Sequence, residues 1–145
     1  MLTRKRNFPM TLSERTPTRF SEWLDEFFED AYNLNSGSFL PELNVYEEES
    51  AFEITCELPG MKKENINISY DDNRLTISGE RRAKHEEEDG RRYRRVESRF
   101  GKFTRTLPLP ANINAEKIDA NYENGVLTVH VPKTKQETGK KIEVK

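Results

Sequence analysis

The alternation of apolar and polar residues is clearest near the end of the chain, around the dipeptide Asn124-Gly125. The apolar positions are Ile118, Ala120 and Tyr122 before the dipeptide, and Leu127, Val129 and Val131 after it. A period of two is typical of a strand with one buried face. Asn-Gly favours a two-residue turn because both central residues need positive φ angles. The stretch therefore predicts a β-hairpin, and a lone hairpin is marginal in water, so more strands must come from upstream.

The same alternation recurs earlier in the chain. A half-buried strand is predicted from Phe52 to Leu58, and shorter alternating runs follow at the positions Leu43 and Val45, Ile66 and Ile68, Leu75 and Ile77, and Phe103, Leu107 and Leu109. Seven to nine short strands without a crossover helix between them favour an all-β fold, an immunoglobulin-like antiparallel sandwich, at residues 41–132. Residues 133–145 are predicted to form a flexible C-terminal extension.

A helical period appears only before this region. The apolar residues lie three and four positions apart and form one stripe, which consists of Phe20, Trp23, Leu24, Phe27, Phe28, Ala31 and Tyr32. Ser21 is predicted to cap the helix. Residues 1–40 then form a helical N-terminal arm, with a linker at residues 33–38. The stripe could pack on the core of its own domain. We favour a contact with other subunits or with clients, because the β region is predicted to fold as a separate unit.

Composition narrows the classes of function. Hydrophobic residues make up 33% of the chain, charged residues 34%, and the net charge is -2, which favours neither a nucleic-acid nor a membrane partner. No apolar run follows the N-terminus, so we expect no signal peptide, and the cytoplasm is the expected location. Cys56, the single cysteine, lies on the apolar face of its strand and is predicted to be a structural residue.

The sequence contains few residues in patterns suited to catalysis, metal binding or cofactor binding. One cysteine and two histidines make a poor set of zinc ligands, and the sequence contains neither a phosphate-binding loop nor a dinucleotide fingerprint. We therefore expect no cofactor and no enzymatic activity. Arg105 falls on the apolar face of the strand with Phe103 and Leu107, where a charge is costly without a partner. It is predicted to be an ion-pair residue at a domain or dimer seam.

Four motifs, taken together, resemble the small heat-shock proteins and their alpha-crystallin domain over roughly residues 41–145. They are A-x-x-x-N-G-V-L from Ala120, the run from Glu57 to Glu80 with Leu-Pro-Gly-Met and Leu-Thr-Ile-Ser-Gly-Glu, the pattern around Gly101, Phe103, Arg105 and Pro110, and Ile142-Glu143-Val144. Leu107 stands where the family pattern has an aromatic residue. The arrangement is similar to the bacterial, archaeal and plant-like branch.

The resemblance implies an ATP-independent holdase chaperone, a homodimer that assembles into a larger homo-oligomer and binds unfolding client proteins. It implies that the loop from Glu80 to Arg95, in which twelve of sixteen residues are charged, carries a strand to the partner. Tyr93 and Val96 would anchor that strand near Leu43 and Val45, with Arg105 at the dimer. Ile142 and Val144 would dock in a groove of another subunit formed by Ile66, Ile68, Ile118 and Ala120. Clients would bind Phe20, Trp23, Leu24, Phe27 and Phe28.

Two other classes of function remain open on the sequence. A β-sandwich adaptor that binds one folded partner would need neither the aromatic arm nor the tail motif, and it would be monomeric. The other possibility is a purely structural assembly protein.

Overall fold

The computed structural model describes residues 19–34, 39–83, 92, 94–134 and 142–145. The chain divides into two compact units, Met1–Ser36 and Gly37–Lys145. Helix α1, Arg19–Leu34, lies in the first unit. The predicted cap at Ser21 is wrong, because the helix begins two residues earlier. The helix also includes the first two residues of the predicted linker, since Leu34 continues the apolar spacing three residues after Ala31.

The second unit is an antiparallel β-sandwich, as the alternation predicted. Its strands are β1 Leu43–Glu47, β2 Ala51–Glu57, β3 Ile66–Asp71, β4 Arg74–Arg81, β5 Gly101–Pro108, β6 Asp119–Glu123 and β7 Val126–Pro132. One sheet has the order β1-β2-β7-β6 and the other has the order β3-β4-β5. The first two residues of the predicted charged loop therefore belong to β4.

The hairpin around Asn124-Gly125 forms as predicted. Glu123 pairs with Val126 across the turn, and both turn residues have positive φ angles, 54° at Asn124 and 75° at Gly125. Asp72 and Asn73 give the β3–β4 turn the same backbone conformation, with φ angles of 49° and 58°. These two turns fix the register of the strands that they join.

The core lies between the inner faces of the two sheets. Its most deeply buried side chains are apolar and come from both sheets: Phe52, Ile54, Cys56, Leu75, Ile77, Leu107, Val129 and Val131. Across β3, β4 and β5 the outward positions are polar, as alternation requires. The inner faces of the two sheets therefore form one largely apolar core, in which Arg105 is the buried charged residue among those that the structure describes.

The chain between β2 and β3 is held against both sheets. The single Tyr122 hydroxyl proton is shared between two acceptors, the carbonyl oxygens of Leu58, at 2.6 Å, and Met61, at 3.0 Å. A 3-10 turn at Lys63–Asn65 follows and passes so close to β4 that a Cβ atom at Gly79 would clash with the Asn65 carbonyl oxygen. Only glycine fits at that point of β4, and this close approach sets the start of β3.

Candidate interaction surfaces

An open groove of about 270 Å³ lies where the edge strands β3 and β6 approach each other. Its lining residues are Ile68, Ser69, Tyr70, Leu75, Ala115, Ile118, Asp119 and Ala120. Three of the four residues predicted for the tail-binding groove are therefore together, although they come from two sheets. The fourth, Ile66, is half-buried on β3, two residues before Ile68, and lies outside the lining.

The groove has an apolar base and a polar rim. Leu75 is buried beneath it, Ile68 and Ile118 are half-buried, and Ala120 and Asp119 are exposed. Ala120 offers a small side chain, which leaves room beside it for a branched one. An extended segment with two apolar residues that point the same way fits such a groove, because alternate side chains of an extended chain share one face.

The C-terminal segment offers a pair of this kind. Ile142 is 82% exposed and Val144 is 98% exposed, so almost none of their apolar surface is covered within the chain. The root of this segment, Lys133 and Thr134, is fixed on the sandwich. The Thr134 amide donates to the Asn112 carbonyl oxygen at 2.9 Å, and the Lys133 ammonium lies 2.9 Å from a carboxylate oxygen of Glu47 and 4.9 Å from the Phe52 ring centre. Apart from a lysine placed directly after the last strand, no pattern in the sequence indicates this anchor.

The edge strand β1 is the predicted acceptor of a partner's strand. Leu43 is buried and Val45 is half-buried, and β1 pairs only with β2 within the described part of the chain. Val96 is 50% exposed, so its side chain is available for a contact. Tyr93, the other predicted anchor, lies outside the described residues. The exchange of this strand between subunits stays a prediction.

Arg105 is buried on β5, with 4% of its surface exposed, as its position on the apolar face predicted. Its guanidinium donates a hydrogen bond to the Pro41 carbonyl oxygen at 3.2 Å, which joins the entry of the β unit to the core. The role of Arg105 at a dimer seam stays a prediction. Burial raises the pKa of the nearby Cys56 thiol to about 12, against the opposing effect of the Arg105 charge. Cys56 is therefore a buried thiol rather than a nucleophile, as predicted.

Arg81 forms a cluster that the sequence pattern did not indicate. Its guanidinium carbon lies 4.9 Å from the centre of the Phe39 ring and 5.3 Å from that of Phe100, and Phe39 packs edge-on against Phe103 at 5.6 Å. The two contacts of Arg81 are cation–π interactions, which connect Phe39 at the start of the β unit to Phe100, the residue before β5. In the sequence Arg81 is one of many charged residues in a row, so no periodicity distinguishes it.

The side chains of α1 show two different faces. Phe20, Leu24, Phe27 and Phe28 of the predicted client-binding stripe are half-buried, whereas Trp23 is 45% exposed and packs edge-on against Phe20 at 6.5 Å. The exposed side chains on the other side of the helix are carboxylates: Glu22, Asp25, Glu26 and Glu29.

No helix among the described residues is long and apolar enough to cross a membrane. Within those same residues, no three His, Cys, Asp or Glu side chains come together in a group that could hold a metal ion.

Comparison with known proteins identifies relatives along most of the chain. The Hsp20/alpha crystallin family matches residues 44–145. Heat shock protein 16 of Schizosaccharomyces pombe is 39% identical over 135 residues, which cover 89% of this chain and 94% of the relative. Small heat shock protein C2 of Rickettsia felis is 36% identical over 127 residues, which cover 87% of this chain and 82% of the relative.

Solved structures of similar proteins share the fold. Heat shock protein 16.0 of S. pombe superimposes with a TM-score of 0.64 at 42% identity, over 74% of this chain and 100% of that one. A small heat-shock protein of Xylella fastidiosa, described as having a distinct high order structure, gives a TM-score of 0.65 at 30% identity, over 75% of this chain and 99% of that one.

Proposed function

Because this chain belongs to the Hsp20/alpha crystallin family of small heat-shock chaperones, we propose that it is an ATP-independent holdase. It binds partly unfolded proteins and keeps them from aggregating under heat or other stress. Family membership implies a stress chaperone and not an enzyme. The holdase mechanism is our proposal in addition to it. A single cysteine suits a reducing compartment, and the cytoplasm is the location that we propose.

The observation that carries this proposal is the aromatic stripe of α1, with Trp23 exposed at its border. Exposed aromatic surface can cover apolar patches on an unfolding protein, and each large side chain buried in this way contributes roughly 1.5–3 kcal/mol. Carboxylates on the opposite side keep the complex in solution. Binding of this kind needs neither nucleotide nor a chemical step.

The test replaces Trp23, Phe27 and Phe28 with serine and measures light scattering from a heat-labile client at equal chaperone mass. We expect suppression of aggregation to be lost while circular dichroism shows an intact β unit. The control replaces Asn67, Lys102 and Thr104, three exposed residues on the outer face of the three-stranded sheet, with serine. If the triple serine variant still protects the client fully, clients bind the β unit rather than the helix.

We also propose that the working form is an oligomer of dimers. The exposed side chain of Val96 and the edge position of β1 support the exchange of a strand from the charged loop. Deleting residues 84–94 should then give a folded monomeric β unit. A deletion variant that dimerises with unchanged affinity would contradict the exchange. Exposed Ile142 and Val144 and the groove between β3 and β6 support the further assembly of dimers through their tails.

A further inference from the structure

The acidic side chains of this protein are unevenly distributed. The sixteen residues of α1 contain five acidic residues and one basic residue. The whole chain contains 26 acidic and 24 basic residues, so the remainder holds 21 acidic and 23 basic ones. The helix that carries the aromatic stripe is therefore strongly acidic in a chain that is otherwise close to neutral. Solubility alone does not require the acidic residues to be concentrated there.

One of these carboxylates, that of Glu26, lies beside the aromatic surface, and others lie behind it. Successive helical residues are about 100° apart, so Glu22, Glu26 and Glu29 lie on the side opposite the centre of the stripe. Trp23 lies at the border between the two sides, where Glu26, three residues later, is its neighbour along the helix surface. Trp23 is 45% exposed, and all three glutamates are exposed.

An exposed indole ring next to carboxylates is a favourable environment for a cation. The face of a tryptophan ring attracts ammonium and guanidinium groups more strongly than the other aromatic rings do. The Glu26 carboxylate at the same border attracts the same groups and repels other carboxylates, and Glu22 and Glu29 on the far side of the helix add to this negative potential at longer range. We propose that α1 selects client segments in which apolar side chains are flanked by lysine or arginine. This selectivity rests on the proposed function, because it assigns a charge preference to the same client-binding helix.

The experiment uses the full chain and two synthetic peptides with the same phenylalanine and leucine core, one flanked by lysines and the other by glutamates. The chain has a single tryptophan, Trp23, so the fluorescence of that residue reports occupancy of the helix directly when the peptides contain none. An exposed ion pair changes an affinity by only about 1.5- to fivefold. Three glutamates together should favour the lysine peptide by about tenfold at about 20 mM salt, and much less at about 0.5 M.

Two variants assign the preference to the helix. Glu22→Gln, Glu26→Gln and Glu29→Gln together should bring the two affinities to within about twofold of each other. Charge reversal of all three, with Glu22→Lys, Glu26→Lys and Glu29→Lys, gives the helix four basic and two acidic residues. It should favour the glutamate peptide instead, which a purely structural role of these residues would not produce. The control neutralises three exposed glutamates of the β unit, Glu64, Glu116 and Glu123, and should keep the preference.

The outcomes separate this proposal from the proposed function. Equal binding of the two peptides by the native chain would overturn the charge selectivity and leave client capture by the helix intact. A preference that survives in both helix variants would also overturn it, because the charges responsible would lie elsewhere. If neither peptide changes the fluorescence of Trp23 and the serine variant still protects clients, the proposed client-binding role of the helix fails.

Discussion

Replacing Ile142 and Val144 with alanine should disassemble the oligomer into dimers. Both side chains are almost fully exposed within the chain, so nearly all of their apolar surface is available for burial in another subunit's groove. The two substitutions remove five methyl or methylene groups, each worth about 0.8 kcal/mol when buried. The expected loss is about 4 kcal/mol for each docked tail, which weakens the contact about a thousandfold. The cost of ordering the tail is nearly the same in both proteins and cancels.

The assay is size-exclusion chromatography with light scattering over a dilution series of the native chain and of the double variant. The variant should give the mass of a dimer at concentrations where the native chain is fully assembled. Glu143→Ala is the matched control, because residue 143 points to the opposite side of an extended segment. It should leave the mass unchanged.

Two results would refute the reasoning. An unchanged mass of the double variant throughout the dilution series would show that the tail does not hold the oligomer together. Equal disassembly by Glu143→Ala would show that the tail acts through its charge rather than through its two β-branched side chains.

Three further predictions concern the β unit. Because burial raises the pKa of Cys56 from 9.0 to about 12, its stabilising contribution is full below pH 9.0 and is lost as the pH rises towards 12. Urea midpoints of the native chain and of Cys56→Ala should therefore converge between about pH 8 and about pH 10.5. Gly79→Ala should lower the free energy of unfolding by about 2 kcal/mol or more, measured by urea denaturation, because the new methyl group meets the Asn65 carbonyl. Arg81→Leu should lower the free energy of unfolding by about 1 kcal/mol in urea, because its cation–π contacts with Phe39 and Phe100 are lost, whereas Arg74→Leu at an exposed site should not.

The strands could be predicted because their signals are local. Alternation identifies a buried face without knowledge of the partner strand, and the turn at Asn124-Gly125 is determined by the φ angles that these two residues tolerate. The end of α1 was harder to predict, because Asn33 and Leu34 are compatible with both a linker and a last helical turn. The burial of Arg105 and Cys56 followed directly from their positions in the alternating pattern.

The contacts that the sequence did not predict are those between residues far apart in the chain. The ring contacts of Arg81 involve Phe39 and Phe100, and the Lys133 ammonium reaches Glu47. A contact between two distant segments leaves no periodic pattern within either of them, so it cannot be predicted from the pattern of one segment. The alternation places Ile66 on the same face as Ile68, but the groove is formed by the end of β3 nearer Tyr70. An alternating pattern predicts which side chains of a strand share a face. It does not predict the position along the strand at which a second sheet approaches.

The edges of the sandwich explain why this protein would use its own segments for assembly. Each sheet ends in two edge strands, and an edge strand offers unpaired backbone groups to any extended chain, including an unfolding client. A partner's loop strand at β1 and a tail in the groove beside β3 and β6 would cover three of these four edges. Burial of two tail side chains contributes roughly 3–5 kcal/mol before ordering costs, which leaves each tail contact weak. Weak contacts of this kind would open on warming, so the proposed assembly would cover these edges at rest and expose them when clients unfold.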